Sequence, residues 1–364
     1  MRLRPISNGM DYGKFLEELI TTVAKENASD LHLNVGRHPT LRISGQLIPL
    51  AKIPILTPEV TSGMAENLMG KELFEEFSKK RERDFSYAFK DKVRFRVNTY
   101  FQKGYVGIAM RVIPVKIKTL SELYLPGILL DFTKKEQGFF IAVGPTGHGK
   151  STTLAAMLDV INHTRNEQII TVEDPIEYIF TSDRSMISQR EVGSDTADFP
   201  VALRSMFRQD MDVALIGEMR DHETIATAVT AAETGHLIFS SLHTNNAAQT
   251  IDRIIDSFPG AQQGQIRAQL ANTLIGVFSQ RLIPRISGGL IPAYELLISN
   301  PAVRNLIREN KAHELDLVIE TNSENGMVSF NRSLIDLVRR GEITMENALT
   351  FSLNPQELMI LTGR

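Results

Sequence analysis

At 364 residues the chain is too long for one small core and implies two or three domains. Its 42% hydrophobic and 23% charged residues are ordinary for a soluble globular protein, and 40 Lys+Arg against 43 Asp+Glu leave a net charge of −3, which argues against a general nucleic-acid binder. With 0 Cys, disulfides and thiolate metal sites are excluded. The start, Met1-Arg2-Leu3-Arg4-Pro5, is basic but lacks the apolar run of a signal peptide. No segment approaches 18 uninterrupted apolar residues, so direct membrane insertion is not expected.

Asp11 to Asn27 places Phe15, Leu16, Leu19, Ile20 and Val23 at helical spacing. Short strands are expected at 31–33, 40–43 and 47–50, with Gly45 turning a hairpin. Thr57-Pro58-Glu59 opens a second helix, with an N-cap, a proline in the first turn and an acid after it. It runs to Lys79 or Lys80 with a break near Gly70. Three β runs follow, at 84–89, 93–101 and 105–112. Residues 1–113 therefore read as an α+β domain and 114–125, with little periodicity, as a linker. From 126 to 364 the pattern is α/β. Apolar runs at 139–143, 169–172, 213–216 and 237–240 alternate with helical stretches, which implies a parallel sheet with crossover helices. Beyond about Gly260 the chain reads as mostly helical, for example 262–275, 302–308 and 332–339.

The most informative stretch is Gly144-Pro145-Thr146-Gly147-His148-Gly149-Lys150-Ser151-Thr152, a G-x-x-x-x-G-K-[ST] loop between an apolar strand and a helix. Such a turn aims several backbone N–H groups at one spot, at the positive end of a helix dipole, and so cradles phosphates. Lys150 is expected to reach the β/γ-phosphates and Ser151 to offer its hydroxyl to Mg²⁺. ATP and Mg²⁺ are the expected cofactors.

Hydrolysis also needs a group that positions water. Glu218 ends the run Val213-Ala214-Leu215-Ile216-Gly217 and is the leading candidate, for water or for Mg²⁺. Gly217 stands where many P-loop enzymes place an aspartate, and Asp221 reads better as a helix N-cap. Glu173, Asp174 and Glu177 cluster at another strand end and repel one another unless a cation lies between them, so Glu173 and Asp174 are candidate Mg²⁺ or water-orienting groups. The alternative is a solvated turn shaped by Asp174-Pro175. His236 and His243 bracket one strand, and an imidazole there could sense a γ-phosphate. For His236 a satisfied, partly buried histidine explains the residue nearly as well. Arg94, Arg96 and Asn98 share a strand face, and Arg111 ends the next β run. Taken alone, these read more simply as a solvated face than as a cationic finger to phosphates.

Assembled in order, the motifs resemble the type IV pilus retraction ATPases (twitching-motility, PilT-like) of the secretion-ATPase superfamily. The resemblance covers nearly the whole chain. It rests on Ala28-Ser29-Asp30-Leu31-His32-Leu33, Asp84-Phe85-Ser86-Tyr87, Arg94-Phe95-Arg96-Val97-Asn98 and the phosphate loop. It continues through 170–177, which is similar to the family's Asp box, then 189–193, 202–204, 216–221, and 234–244 with its His box. This implies a PAS-like N-terminal domain and a RecA-like ATPase domain in a homohexameric ring. Nucleotide would lie between the domains, with Arg96 and Arg111 reaching its phosphates. It also implies a peripheral location at the inner face of the bacterial cytoplasmic membrane, against an inner-membrane pilus platform protein. The absence of a tetracysteine zinc site and a start at the PAS-like region point to retraction rather than extension. So does Pro301-Ala302-Val303-Arg304-Asn305-Leu306-Ile307-Arg308-Glu309, which resembles the A-I-R-N-L-I-R-E signature. His148 departs from the usual Ser of the loop, Met211 from a proline and Val303 from an isoleucine. The resulting expectation is an ATP-hydrolysing motor for pilus retraction. The alternatives are an ATPase of a type IV secretion apparatus and a slow nucleotide-gated scaffold.

Overall fold

A computed structural model describes residues 11–43, 45–89, 93–113, 116–219 and 221–362. The basic stretch Met1 to Pro5, Pro114 and Val115 of the expected linker, and Arg220 lie outside the described residues. The described residues divide into two compact units, one drawn from 1–116 together with 175–179 and the other from 117–174 together with 180–364.

In the first unit, α1 (Tyr12–Lys25) begins where Asp11 accepts a bond from the Lys14 N–H, and it buries Phe15, Leu16, Leu19, Ile20 and Val23. Strands β1 (Asp30–Leu33), β2 (Thr40–Ile43) and β3 (Gln46–Pro49) are antiparallel neighbours. Helix α2 (Pro58–Met69) is capped by Thr57, and Gly70, at φ 79°, separates it from α3 (Lys71–Lys80) at the expected break. Strands β4 (Glu82–Phe89), β5 (Val93–Gln102) and β6 (Tyr105–Ile113) complete a six-stranded sheet ordered β3-β2-β1-β6-β5-β4. Helices α1 and α2 cover one face. Alternation along β5 sends Phe95 and Val97 into that core and Arg96 to the exposed face.

The second unit opens with the short helix α4 (Leu129–Thr133), then β7 (Gly138–Val143), α5 (Lys150–Thr164), β8 (Gln168–Glu173), β9 (Met186–Glu191) and α6 (Phe199–Met206). It continues with β10 (Val213–Ile216), α7 (His222–Glu233), β11 (Leu237–Leu242), α8 (Ala247–Asp256) and α9 (Gly260–Thr273). Strands β12 (Leu274–Pro284) and β13 (Leu290–Ile298) precede α10 (Pro301–Arg308), α11 (Leu315–Thr321), α12 (Phe330–Arg339), α13 (Met345–Phe351) and α14 (Pro355–Leu361). The sheet order is β13-β12-β7-β11-β10-β8-β9, parallel throughout except for β12–β13. Every residue of β7, β10 and β11 is buried, because helices cover both faces; this is why those strands read as unbroken apolar runs.

The fold is thus α/β, with one correction in the C-terminal part. Residues 274–298 form a long antiparallel hairpin rather than helix, and it extends the parallel sheet. A separate apolar cluster joins its far end, Ile283, Ile291 and Ala293, to Phe330, Leu334 and Leu358. Edge strand β9 also escaped the sequence reading, since its residues 186–191 are mostly polar. Among the described residues no helix is long and apolar enough to cross a membrane.

Candidate active site

Four neighbouring parallel strands, β8, β10, β11 and β7, end on the same edge of the sheet. Their carboxyl ends carry Glu173, Glu218, His243 and the Gly144–Thr152 loop, so residues up to about a hundred positions apart converge, as open α/β sheets dictate.

The loop runs from the end of β7 into the first turn of α5. Gly144, Gly147 and Gly149 have φ of 141°, 80° and 86°. A Cβ on Gly144 would stand 2.3 Å from the Gln280 carbonyl oxygen, so only glycine fits against β12 there. Lys150 is buried. Its ammonium donates to the carbonyls of Gly144 (2.9 Å) and Pro145 (3.0 Å) and lies 3.4 Å from His243 Nδ1. The Thr146 hydroxyl is also 3.4 Å from that nitrogen. An ammonium can only donate, so Nδ1 is the acceptor and the ring proton sits on Nε2. Nε2 faces the Glu218 carboxylate at 3.5 Å. His243 therefore links the phosphate loop to the candidate water-positioning acid.

Glu218 is held by its neighbours' backbones. Gly217 donates its N–H to the Val172 carbonyl, Ser241 donates its hydroxyl to the Gly217 carbonyl, and Met219 N–H reaches the Ser241 carbonyl. A Cβ on Gly217 would press on the Val172 carbonyl and on Glu173, which explains glycine before this acid. Asp221 accepts from the backbone and hydroxyl of Thr224 and caps α7, as read from sequence.

The acids of this cluster differ in their surroundings. Glu173 is buried and accepts from the Thr171 hydroxyl (2.6 Å) and Gln189 (3.3 Å), whereas Asp174 and Glu177 are exposed. Among the described residues no three His, Asp or Glu side chains form a metal cage. Mg²⁺ in phosphoryl transfer is held by few protein groups together with phosphate oxygens and water, and the Ser151 hydroxyl at the start of α5 fits that donor set.

His236 does not join the site in this chain. It precedes β11 at the opposite edge of the sheet, about 20 Å along the strand from His243. There its Nδ1 bonds the Ala231 carbonyl at 2.9 Å, and its ring meets Phe207 edge-on.

In the first unit Arg96 and Arg111 are directly opposed on β5 and β6. Arg111 donates to Asp30 at 2.8 Å. Burial alone would raise that carboxyl, but the bonds from Ser29 and Arg111 hold it below the usual carboxylate range. Arg96 is exposed and has no hydrogen bond or ion pair with the described residues.

Sequence reading missed the residues that frame the site from β12. Gln280 is buried. It donates to the His148 carbonyl (2.6 Å) and accepts from the Thr153 hydroxyl (2.6 Å). On the other face, Ser279 donates to the Asn245 carbonyl and Arg281 to the Asn245 side chain, beside His243. The available signal was alternation in Phe278-Ser279-Gln280-Arg281-Leu282, hidden by the helical reading.

The profile of the family described as Type II/IV secretion system protein matches residues 11–288. The chain belongs to that family. It is 43% identical over 333 residues to the type IV pilus retractation ATPase PilT of Pseudomonas aeruginosa, covering 92% of this chain and 96% of that one. It is 41% identical over 321 residues to the twitching motility protein of Neisseria gonorrhoeae, covering 88% and 86%. The solved structure of the pilus retraction motor PilT with bound ADP has a TM-score of 0.88 to it at 45% identity, covering 94% of this chain and 98% of that one. The α/β fold described above is therefore that of a secretion ATPase.

Proposed function

We propose that the protein is an ATP-hydrolysing motor that powers type IV pilus retraction. The observation that carries this is the convergence of the phosphate loop, Lys150, His243 and Glu218 on one sheet edge, in a chain similar over nine-tenths of its length to PilT. The loop amides and Lys150 hold the triphosphate. The Ser151 hydroxyl would hold Mg²⁺, with Glu173 at the end of β8 proposed to assist, and the ion would supply charge neutralisation of the transferring phosphoryl group. Glu218 orients the attacking water and takes its proton, and His243 keeps that carboxylate in register with the loop. Loss of the γ-phosphate is felt by Lys150 and His243 together.

The N-terminal unit, proposed to be PAS-like, presents Arg96 and, less freely, Arg111 as proposed phosphate ligands, and the second unit is proposed to be RecA-like. The protein works as a homohexamer at the inner face of the cytoplasmic membrane, against a platform protein of the pilus base. Deleting the gene is expected to leave surface fibres accumulated and unretracted. Wild type restores retraction, and Glu218→Gln, with turnover lowered about a hundredfold or more, does not. Loss rather than accumulation of fibres, or full-rate hydrolysis by the variant, would falsify this reading.

A further inference from the structure

The histidine in the phosphate loop has a partner. Leu282 of β12 donates its backbone N–H to His148 Nδ1 at 2.9 Å. Two residues back on the same strand, Gln280 donates to the His148 carbonyl, accepts from Thr153 one turn into α5, and lays its own carbonyl against Gly144. Its amide nitrogen would stand 2.9 Å from a Cβ on Gly149. One strand thus touches the first glycine of the loop, its variable residue, its last glycine and the helix behind it. The loop's amides bind phosphate only if they converge, and their convergence is set by what holds the loop from outside. A backbone N–H is always a donor, so the His148 ring must accept through an unprotonated Nδ1. Its surroundings keep it neutral: burial first, then the charges of Arg281 and Lys150, lower its affinity for a proton.

We infer that β12 is the frame that sets the phosphate loop, with Gln280 and His148 as positioning residues for the nucleotide. This second attachment is made by the histidine ring. The inference rests on the nucleotide-hydrolysing reading above and adds to it two side chains that hold the loop from outside.

The test is steady-state ATP hydrolysis by the full-length protein, with melting temperature measured in parallel. Removing one neutral hydrogen bond is worth about fivefold, so His148→Ala is expected to raise KM for ATP about fivefold while kcat stays within about twofold. His148→Asn, whose amide oxygen can take the place of Nδ1, is expected to return KM to within about twofold of wild type. Gln280→Glu sets an acceptor against the His148 carbonyl and is expected to raise KM by roughly tenfold or more. Equal KM for the alanine and asparagine variants overturns the inference. So does a Gln280→Glu protein that melts earlier with KM unchanged. A wild type with no ATP turnover overturns the nucleotide reading itself, a result distinct from either.

Discussion

Glu295 shows how much one side chain's surroundings decide. It lies on β13, almost wholly buried, and accepts from the Ala247 N–H at the start of α8, the helix that follows His243. Burial, with Asp316 adding repulsion against the favourable Ala247 bond, raises its pKa from 4.5 to about 7. The folded state therefore holds a proton that the unfolded chain releases near its ordinary value. Stability contributed by the protonated acid is full below about 4.5 and is lost as pH rises through about 7. The loss amounts to something on the order of 3 kcal/mol. Glu295→Gln keeps the acceptor and cannot ionise, so it is expected to melt higher than wild type at pH 8 and nearly equally at pH 5, by thermal unfolding at both values. Equal melting at pH 8 would show that the carboxylate finds compensation. Nothing in the sequence marks Glu295, since a lone acid in an apolar run carries no sign of what lies across the strand. Glu218, Lys150 and His243, by contrast, were legible because each sits at a strand end or in a glycine loop where chemistry has to be placed.

At the scale of elements the phosphate loop and the hairpin behind it depend on each other. Gly144 packs its Cα against the Gln280 carbonyl, and it also adopts a φ of 141° that side chains avoid. Gly144→Ala must shift either the loop or β12, and strain of this kind costs about 1–3 kcal/mol. The expected result is a lower melting temperature together with loss of ADP binding in a titration. A variant that melted earlier but bound ADP normally would mean that loop and strand are not coupled. The hairpin is also where sequence reading went astray. Gln262 to Thr273 is helical as expected, but nothing in composition marks its end, and strand β12 begins at the next residue. Its alternation of Gln280 with Ser279 and Arg281 is that of a strand contacting different polar partners on its two faces, which a search for one apolar face does not detect.

At the scale of the molecule, the groups proposed for the reaction are divided by unit: Glu218, Glu173 and the phosphate loop in one, Arg96 and Arg111 in the other. Arg96 stands on the exposed sheet face with no partner among the described residues, while Arg111 is engaged with buried Asp30. Arg96→Ala is therefore expected to lower kcat about a thousandfold, the lower end for an arginine finger, without changing stability. Arg111→Ala is expected to lower stability as well, because it leaves Asp30 short of a cation. Phosphate-release kinetics and melting curves on both variants check this, and an Arg96→Ala protein with full kcat would remove that residue from the reaction.

The sequence by itself determined the chemistry of the phosphate loop, the acid at the end of β10, the family and the alternating order of the second unit. These are local matters, carried by glycine spacing, strand-end acids and apolar runs of the right length. Only the tertiary structure decided which histidine lies beside the phosphate loop. His236 and His243 flank the same strand in the same way, but parallel strands place one at each edge of the sheet. It decided, too, that His148 is held by strand β12, because a hydrogen bond between residues 148 and 282 leaves no trace in either neighbourhood. Spacing along the chain can say what a segment is able to do, and the sheet decides which segments meet.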